Sequence, residues 1–290
     1  GRFARRRSLA RAAVNVRPQA QTTNGRARKL ANFSNLIKEL HQEIDYNQWA
    51  FCETSTPRSI SCGDCVGKQY YSGDAVKYNC DQKRKIYVIR YFPVHVKEVL
   101  LALEEIPSAA LDALSVPDHV IRGVSIGGGP GSDIAAVRTF FSELYNTGES
   151  PTIKICRLDS CVGWDDISLR VIGHCPAGHV DFKHFKAHRD VARTPFLPQH
   201  RFDLTCLSYL VSEITESQVP RLTRNIRNCV KPNSFVIIND RNQTEIVSRI
   251  ESIVRSLQCV IIAQSTSRVW CGISYPDEIR DAIGPKLKTK

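Results

Sequence analysis

Residues 119–141 read HVIRGVSIGGGPGSDIAAVRTFF. Residues 119–126 are rich in β-branched side chains and short enough to form a buried strand. Gly127, Gly128, Gly129 and Gly131 follow, interrupted only by Pro130. Residues 132–145 then place apolar side chains at helical spacing, with Asp133 in the first turn, where a carboxylate suits the helix dipole. A strand that passes through glycines into a helix lets the backbone approach a ligand closely, and the helix start offers it unpaired N–H groups. The alternative is a tight turn with no ligand. Glycines this dense cost unfolded-state entropy, which favours the first reading.

The same alternation continues outward. Residues 152–159 read as a strand, 164–172 as a helix, 201–211 as a strand, and 217–230 as a helix broken near Pro220. A strand over 234–242, a helix over 244–257 and two short strands over 259–265 and 267–275 finish the chain. Upstream, 32–44 and 94–106 are helical, the latter closed by Pro107. Residues 85–92 fit either a strand or the start of a helix that runs on past Pro93. Strands alternating with helices predict an α/β fold, a doubly wound and mostly parallel sheet covered on both faces. Ligands bind such sheets outside the carboxyl ends of the strands, at the switch point. The expected organisation is a disordered basic tail over 1–29, a helical cap with a cysteine-rich insert over 30–115, and the α/β domain over 116–290.

Composition limits the function classes. At 290 residues and 42% hydrophobic content the chain can bury an ordinary core. No apolar run is long enough to span a bilayer, and no secretory signal is visible, so no membrane partner is expected. Eleven cysteines lie scattered through the elements, which suits a reducing, intracellular setting in nucleus, cytoplasm or mitochondrion. The net charge is +11, but residues 1–38 hold ten Arg and Lys and no acid, so residues 39–290 carry only +1 of it. The basic segment has few large apolar residues and cannot offset its own ordering entropy. It is a solvated tail, an arm for RNA or another polyanion, or the remnant of an organelle-targeting segment.

The glycine spacing separates the candidate ligands. In a dinucleotide fingerprint counted from Gly127 the third glycine would fall at Ser132, and no Lys-Ser/Thr pair follows to make a P-loop. Gly127-x-Gly129-x-Gly131 resembles instead the first motif of class I, Rossmann-like, S-adenosylmethionine-dependent methyltransferases. The likeness continues through KICRLDS, which ends the second strand on Asp159, and LDSCVGWDDI, where a Trp opens the next helix. FDLTCLSYLVSEI (202–214) is similar to the family's fourth motif, and CVKPNSFVIIND (229–240) to the strand after it. Together these span about residues 119–275.

The resemblance implies that Gly127, Gly129, Gly131 and Asp159 hold S-adenosylmethionine, Asp159 through the ribose hydroxyls. It makes Asp190, in FKAHRDVA, the acid beside the adenine, and adds Ser208 to the cofactor site. Tyr209 and Glu213 would lie near the transferred methyl group and position a substrate. There are two departures. Ser125 stands where the family usually carries an acid, two residues before the first glycine. The fourth motif reads Ser208-Tyr209-Leu210-Val211, not the Asn/Asp-Pro-Pro-aromatic of enzymes that act on exocyclic base nitrogens. Cys206 lacks the Pro-Cys setting of a base-attacking nucleophile and reads as a core residue. The expected function is methyl transfer, with RNA or another nucleic-acid-associated acceptor. The alternative is a non-catalytic, methyltransferase-like scaffold subunit in an RNA-processing or other assembly with protein partners.

A separate signal precedes the sheet. Cys52, Cys62, Cys65 and Cys80 have the spacing C-x9-C-x2-C-x14-C. A Cys-Gly-x-Cys turn lets two thiolates face one metal, and four suit a structural Zn. An iron–sulfur cluster uses the same four thiolates, and free thiols in a packed loop are the third reading. His41 or His95 are the substitutes for Cys52 or Cys80. A second group, His174, Cys175, His179, His184 and His188, is irregularly spaced and reads as loop and surface histidines.

Overall fold

The computed structural model describes residues 11–14, 23–44, 78–114, 118–145, 150–176, 180–266 and 275–283. Seven strands form one sheet: β1 (Arg11–Val14), β2 (Val120–Ile126), β3 (Thr152–Asp159), β4 (Phe182–His188), β5 (Phe202–Ser208), β6 (Val230–Asn239) and β7 (Val260–Ala263). Their order is β4-β3-β2-β5-β6-β1-β7, and every pairing is parallel. The chain starts at β2, steps outward to β3 and β4, then returns past β2 to β5 and β6. The direction of winding therefore reverses between β2 and β5, which puts the switch point at the carboxyl end of β2, where the glycines are.

Eight helices accompany the sheet among the described residues: α1 (Thr23–Gln42), α2 (Asp81–Glu104), α3 (Ser108–Leu114), α4 (Ser132–Leu144), α5 (Asp165–Gly173), α6 (Val219–Cys229), α7 (Thr244–Leu257) and α8 (Asp277–Ile283). The two-residue period of a strand sorts the core onto two faces. Phe235 and Ile237 of β6 join Leu204 of β5 in a cluster with Phe33 and Leu36 of α1, Ile89 and Phe92 of α2, and Ile134 of α4. Their neighbours Val236 and Ile238 join Val124 and Leu207 in a second cluster with Leu222 of α6 and Ile250 of α7. Each fully buried aliphatic or aromatic side chain contributes about 1.5–3 kcal/mol. This is the doubly wound parallel sheet expected from the sequence. Helices α1 and α2, from the region expected to form a cap, share a core with the sheet itself.

Several elements differ from expectation. Arg11–Val14, within the stretch assigned to a disordered tail, is a strand inserted between β6 and β7. Residues 85–92 and 94–106 are not two elements: α2 runs through Pro93 without a break. Pro93 has no N–H to give to the Ile89 carbonyl, four residues back, and the Tyr275 hydroxyl donates to that carbonyl instead at 2.8 Å. Pro220 does not break a helix either; it stands in the first turn of α6, where its missing N–H is not needed. β4 had no reading as a strand. The final strand expected over 267–275 falls almost wholly outside the described residues. Among the described residues no helix is long and apolar enough to cross a membrane.

Candidate functional site

The turn after β2 uses its glycines for conformation. Gly127, Gly129 and Gly131 have φ of +67°, +45° and +93°, in the left-handed region that disfavours other residues. The N–H groups of Gly127 and Gly128 both donate to the Leu158 carbonyl of β3, at 2.8 and 3.2 Å, which turns the chain toward the neighbouring strand. Gly131 is the N-cap of α4, and no side chain caps that helix. A Cβ on Gly127 would lie 2.9 Å from the Leu210 side chain, so the turn has conformational and steric reasons for glycine there.

Strand β3 clamps the middle of this turn from two sides. The Asp159 carboxylate accepts the Gly129 N–H at 2.7 Å and the Cys161 N–H at 2.8 Å. The Arg157 guanidinium donates to the Gly129 carbonyl at 3.1 Å and pairs with Asp165, at the start of α5. Asp165 also holds Lys186 and His188 of β4. Both polar ends of one glycine are thus fixed by side chains two residues apart on one strand. Burial pushes the Asp159 carboxyl above its ordinary value, against the two amides and nearby Arg157.

The turn faces a cleft of about 770 Å³ along the carboxyl ends of the strands. Gly127, Gly128, Gly129, Asp159, Asp190, Ser208, Tyr209 and Glu213 all line it. Of the expected site residues within the described parts, only Gly131 does not; it acts one step back, at the helix start. Asp190 lies two residues beyond β4, its carboxylate accepting the Ala192 and Arg193 N–H groups at 3.0 and 3.1 Å. Tyr209 is held in a left-handed conformation with φ +57°, its ring stacked on His95 at 3.9 Å and its hydroxyl donating to Glu98. Glu213 accepts the Tyr78 hydroxyl at 2.9 Å. Burial pushes its carboxyl up to about 7, the Tyr78 hydrogen bond opposing and the nearby Asp240 and Asp159 reinforcing the shift.

One site residue was missed. Asp133, in the first turn of α4, also lines the cleft, and its side chain is almost wholly buried. It accepts the Ser125 hydroxyl at 2.7 Å and the Ser208 hydroxyl at 2.5 Å, tying β2 and β5 together beneath the turn. Burial pushes its carboxyl up, against these two hydrogen bonds. The signal available in the sequence was Ser125 itself, a hydroxyl in a buried strand that needs a partner. Arg157 was missed too, because a strand arginine reads as exposed, yet it is fully buried.

The cysteine and histidine expectations fare differently. Cys52, Cys62 and Cys65 lie outside the described residues, and Cys80 occupies the N-cap position of α2. Among the described residues no group of three or more His, Cys, Asp or Glu side chains is placed to hold a metal. The histidines of the second group serve other partners. His174 contacts Glu39 and the Arg170 carbonyl, and His188 contacts Asp165. Cys206 is fully buried in β5, and burial raises its thiol well above the ordinary value.

No protein-family model matches the chain, and no curated protein matches it by sequence. Solved structures do resemble it. A complex of DhpI with SAH is 12% identical over 62% of this chain and 71% of that one, at a TM-score of 0.37. The glycopeptide N-methyltransferase MtfA with sinefungin is 16% identical over 45% of this chain and 48% of its own, at 0.31. A TehB-like SAM-dependent methyltransferase from Corynebacterium glutamicum is 13% identical over 50% and 70%, at 0.32. Likenesses this distant concern the fold alone.

Proposed function

We propose that the cleft binds S-adenosylmethionine and that the chain is a methyltransferase. The observation that carries this is the left-handed glycine turn at the switch point of a parallel sheet, with Gly129 fastened to Asp159. The residues fit the cofactor. Each Asp159 oxygen accepts one backbone amide, which leaves lone pairs for a ribose diol. Asp190 flanks the far end of the cleft, where an adenine would lie. The buried carboxylates Asp133, Asp159 and Glu213 suit a cationic ligand.

When bound, the cofactor supplies an electrophilic methyl group on a sulfonium. The chain's part is to hold the acceptor in line and to keep water out, and such positioning accounts for much of the barrier lowering in reactions of this kind. Glu213, titrating near neutral pH, takes the proton that the acceptor's nucleophile gives up, with Tyr78 orienting it. The acceptor is RNA or a nucleic-acid-associated molecule. The basic residues of 1–38 favour it, as do Arg189, Arg193 and Arg241 along the cleft. The same reading gives Cys52, Cys62, Cys65 and Cys80 a structural Zn, which elemental analysis should find at about one per chain.

Calorimetry with S-adenosylmethionine and its demethylated product tests the central reading. Binding is expected, and Asp159→Ala should weaken it by about 1.5–3 kcal/mol, the loss of a hydrogen bond to a charged group. No binding at millimolar concentrations would leave the chain as a scaffold subunit. Transfer of a tritiated methyl group onto fractionated RNA and protein then identifies the acceptor, and label confined to protein would overturn the RNA assignment.

A further inference from the structure

Asp133 has an electrostatic deficit that no other part of the site shares. Buried carboxylates in this protein are otherwise met by cations or by backbone N–H groups. Asp165 has Arg157, Lys186 and His188, and Asp203 has Lys231 at 2.7 Å. Asp159 has two backbone N–H groups, with Arg157 close by. Asp133 receives only two neutral hydroxyls, and among the described residues no Lys, Arg or His pairs with it. Keeping a carboxylate out of water without a cation costs several kcal/mol.

Its surroundings say what would relieve that cost. The carboxylate lines the cleft directly under Gly127 and Gly128, between the ends of β2 and β5. Two of its lone-pair positions are used by Ser125 and Ser208, so two remain. The two serines fix the carboxylate group, so a ligand finds it already oriented. A ligand with a compact cation and several N–H donors would both neutralise the group and fill the open positions.

We infer that Asp133 is the residue that holds the primary ammonium group of the cofactor's amino-acid end, with Ser125 and Ser208 as its positioning residues. The inference rests on the proposed cofactor reading and adds to it which cation the cleft recognises. The sulfonium is a weaker match, because it has no hydrogen to donate. Ser125 thus does not leave the strand without an acid; it hands the task to a carboxylate eight residues later, at the start of α4.

Three ligands separate the possibilities in the native protein by calorimetry: S-adenosylhomocysteine, its analogue without the α-amino group, and S-adenosylmethionine. Removing the α-amino group should weaken binding about tenfold to a hundredfold, the usual range for a charge-assisted hydrogen bond. In Asp133→Asn that preference for the amino form should collapse to within about threefold, while affinity for the desamino analogue stays within about threefold of native. Equal native affinity for the amino and desamino ligands would overturn the inference whether or not the variant folds. So would a variant that loses only the advantage of the sulfonium, or one that loses all three ligands alike. If the native protein binds the desamino analogue but gains nothing from the amino group, the cofactor reading survives and this inference fails. If it binds none of the three, both fail.

Discussion

Glu213 places a carboxyl group where ionisation and folding oppose each other. Its neighbours are the Tyr78 hydroxyl, the Asp240 and Asp159 carboxylates and Arg241, and burial outweighs them all to push it up to about 7 from an ordinary 4.5. The folded chain therefore holds this proton more tightly than the unfolded chain. The resulting stability is fully present below about pH 4.5 and is lost as pH rises through about 7. Glu213→Gln stays neutral throughout. Relative to native protein, the variant should gain on the order of 3 kcal/mol in urea unfolding between about pH 4 and about pH 8. A difference that does not change with pH would mean that Glu213 is solvated and titrates normally. At this scale the site was only partly legible. Asp159 and the glycines announce themselves by spacing, because backbone conformation dictates residue type there. Asp133 and Arg157 do not, because their roles depend on partners that only the folded sheet brings near: Ser208, 75 residues away, and the Gly129 carbonyl.

Helix α2 shows the same dependence among whole elements. Its first half looks like a strand because Tyr87, Val88, Ile89, Tyr91 and Phe92 crowd together without a helical period. The reason is physical: this helix is buried on nearly all sides, so no polar face interrupts the apolar run. Edge strand β4 was missed for the opposite reason. Its lysines and histidines leave too little apolar alternation to read, and its pairing with β3 alone places it. Within α2, Pro93 and Tyr275 form a unit that can be tested. Tyr275→Phe strands the Ile89 carbonyl in the core and should cost about 1–3 kcal/mol. Pro93→Ala restores an N–H four residues after that carbonyl, so the same tyrosine change should cost clearly less in that background. A double-mutant cycle measures the coupling, and strict additivity would show that the Tyr275 hydroxyl is not what completes the helix.

For the molecule as a whole, the open question is what the basic amino-terminal segment contributes. RAAV at Arg11–Val14 carries no strand pattern of its own, and nothing local could have identified it. It is a strand because β6 and β7 leave a slot that it pairs with on both sides: Ala13 against Ile237 on one, Arg11 against Val260 on the other. Four of the arginines precede that strand, at Arg2, Arg5, Arg6 and Arg7. Two deletions therefore separate fold from charge. Removing residues 1–10 takes away those four charges and leaves the pairing intact. The thermal midpoint should not move, while the salt dependence of RNA binding should flatten by up to about 0.7 in log–log slope for each phosphate that is no longer neutralised. Removing residues 1–16 also removes the strand, leaving β6 and β7 with no strand between them. The midpoint should then fall by at least several degrees, since about 1 kcal/mol shifts it roughly 2–4 °C in a chain this long. A tail disordered throughout would leave both midpoints alike. If both deletions preserve the midpoint, β1 adds nothing to the sheet; if the first alone lowers it, the arginines take part in the fold rather than in binding.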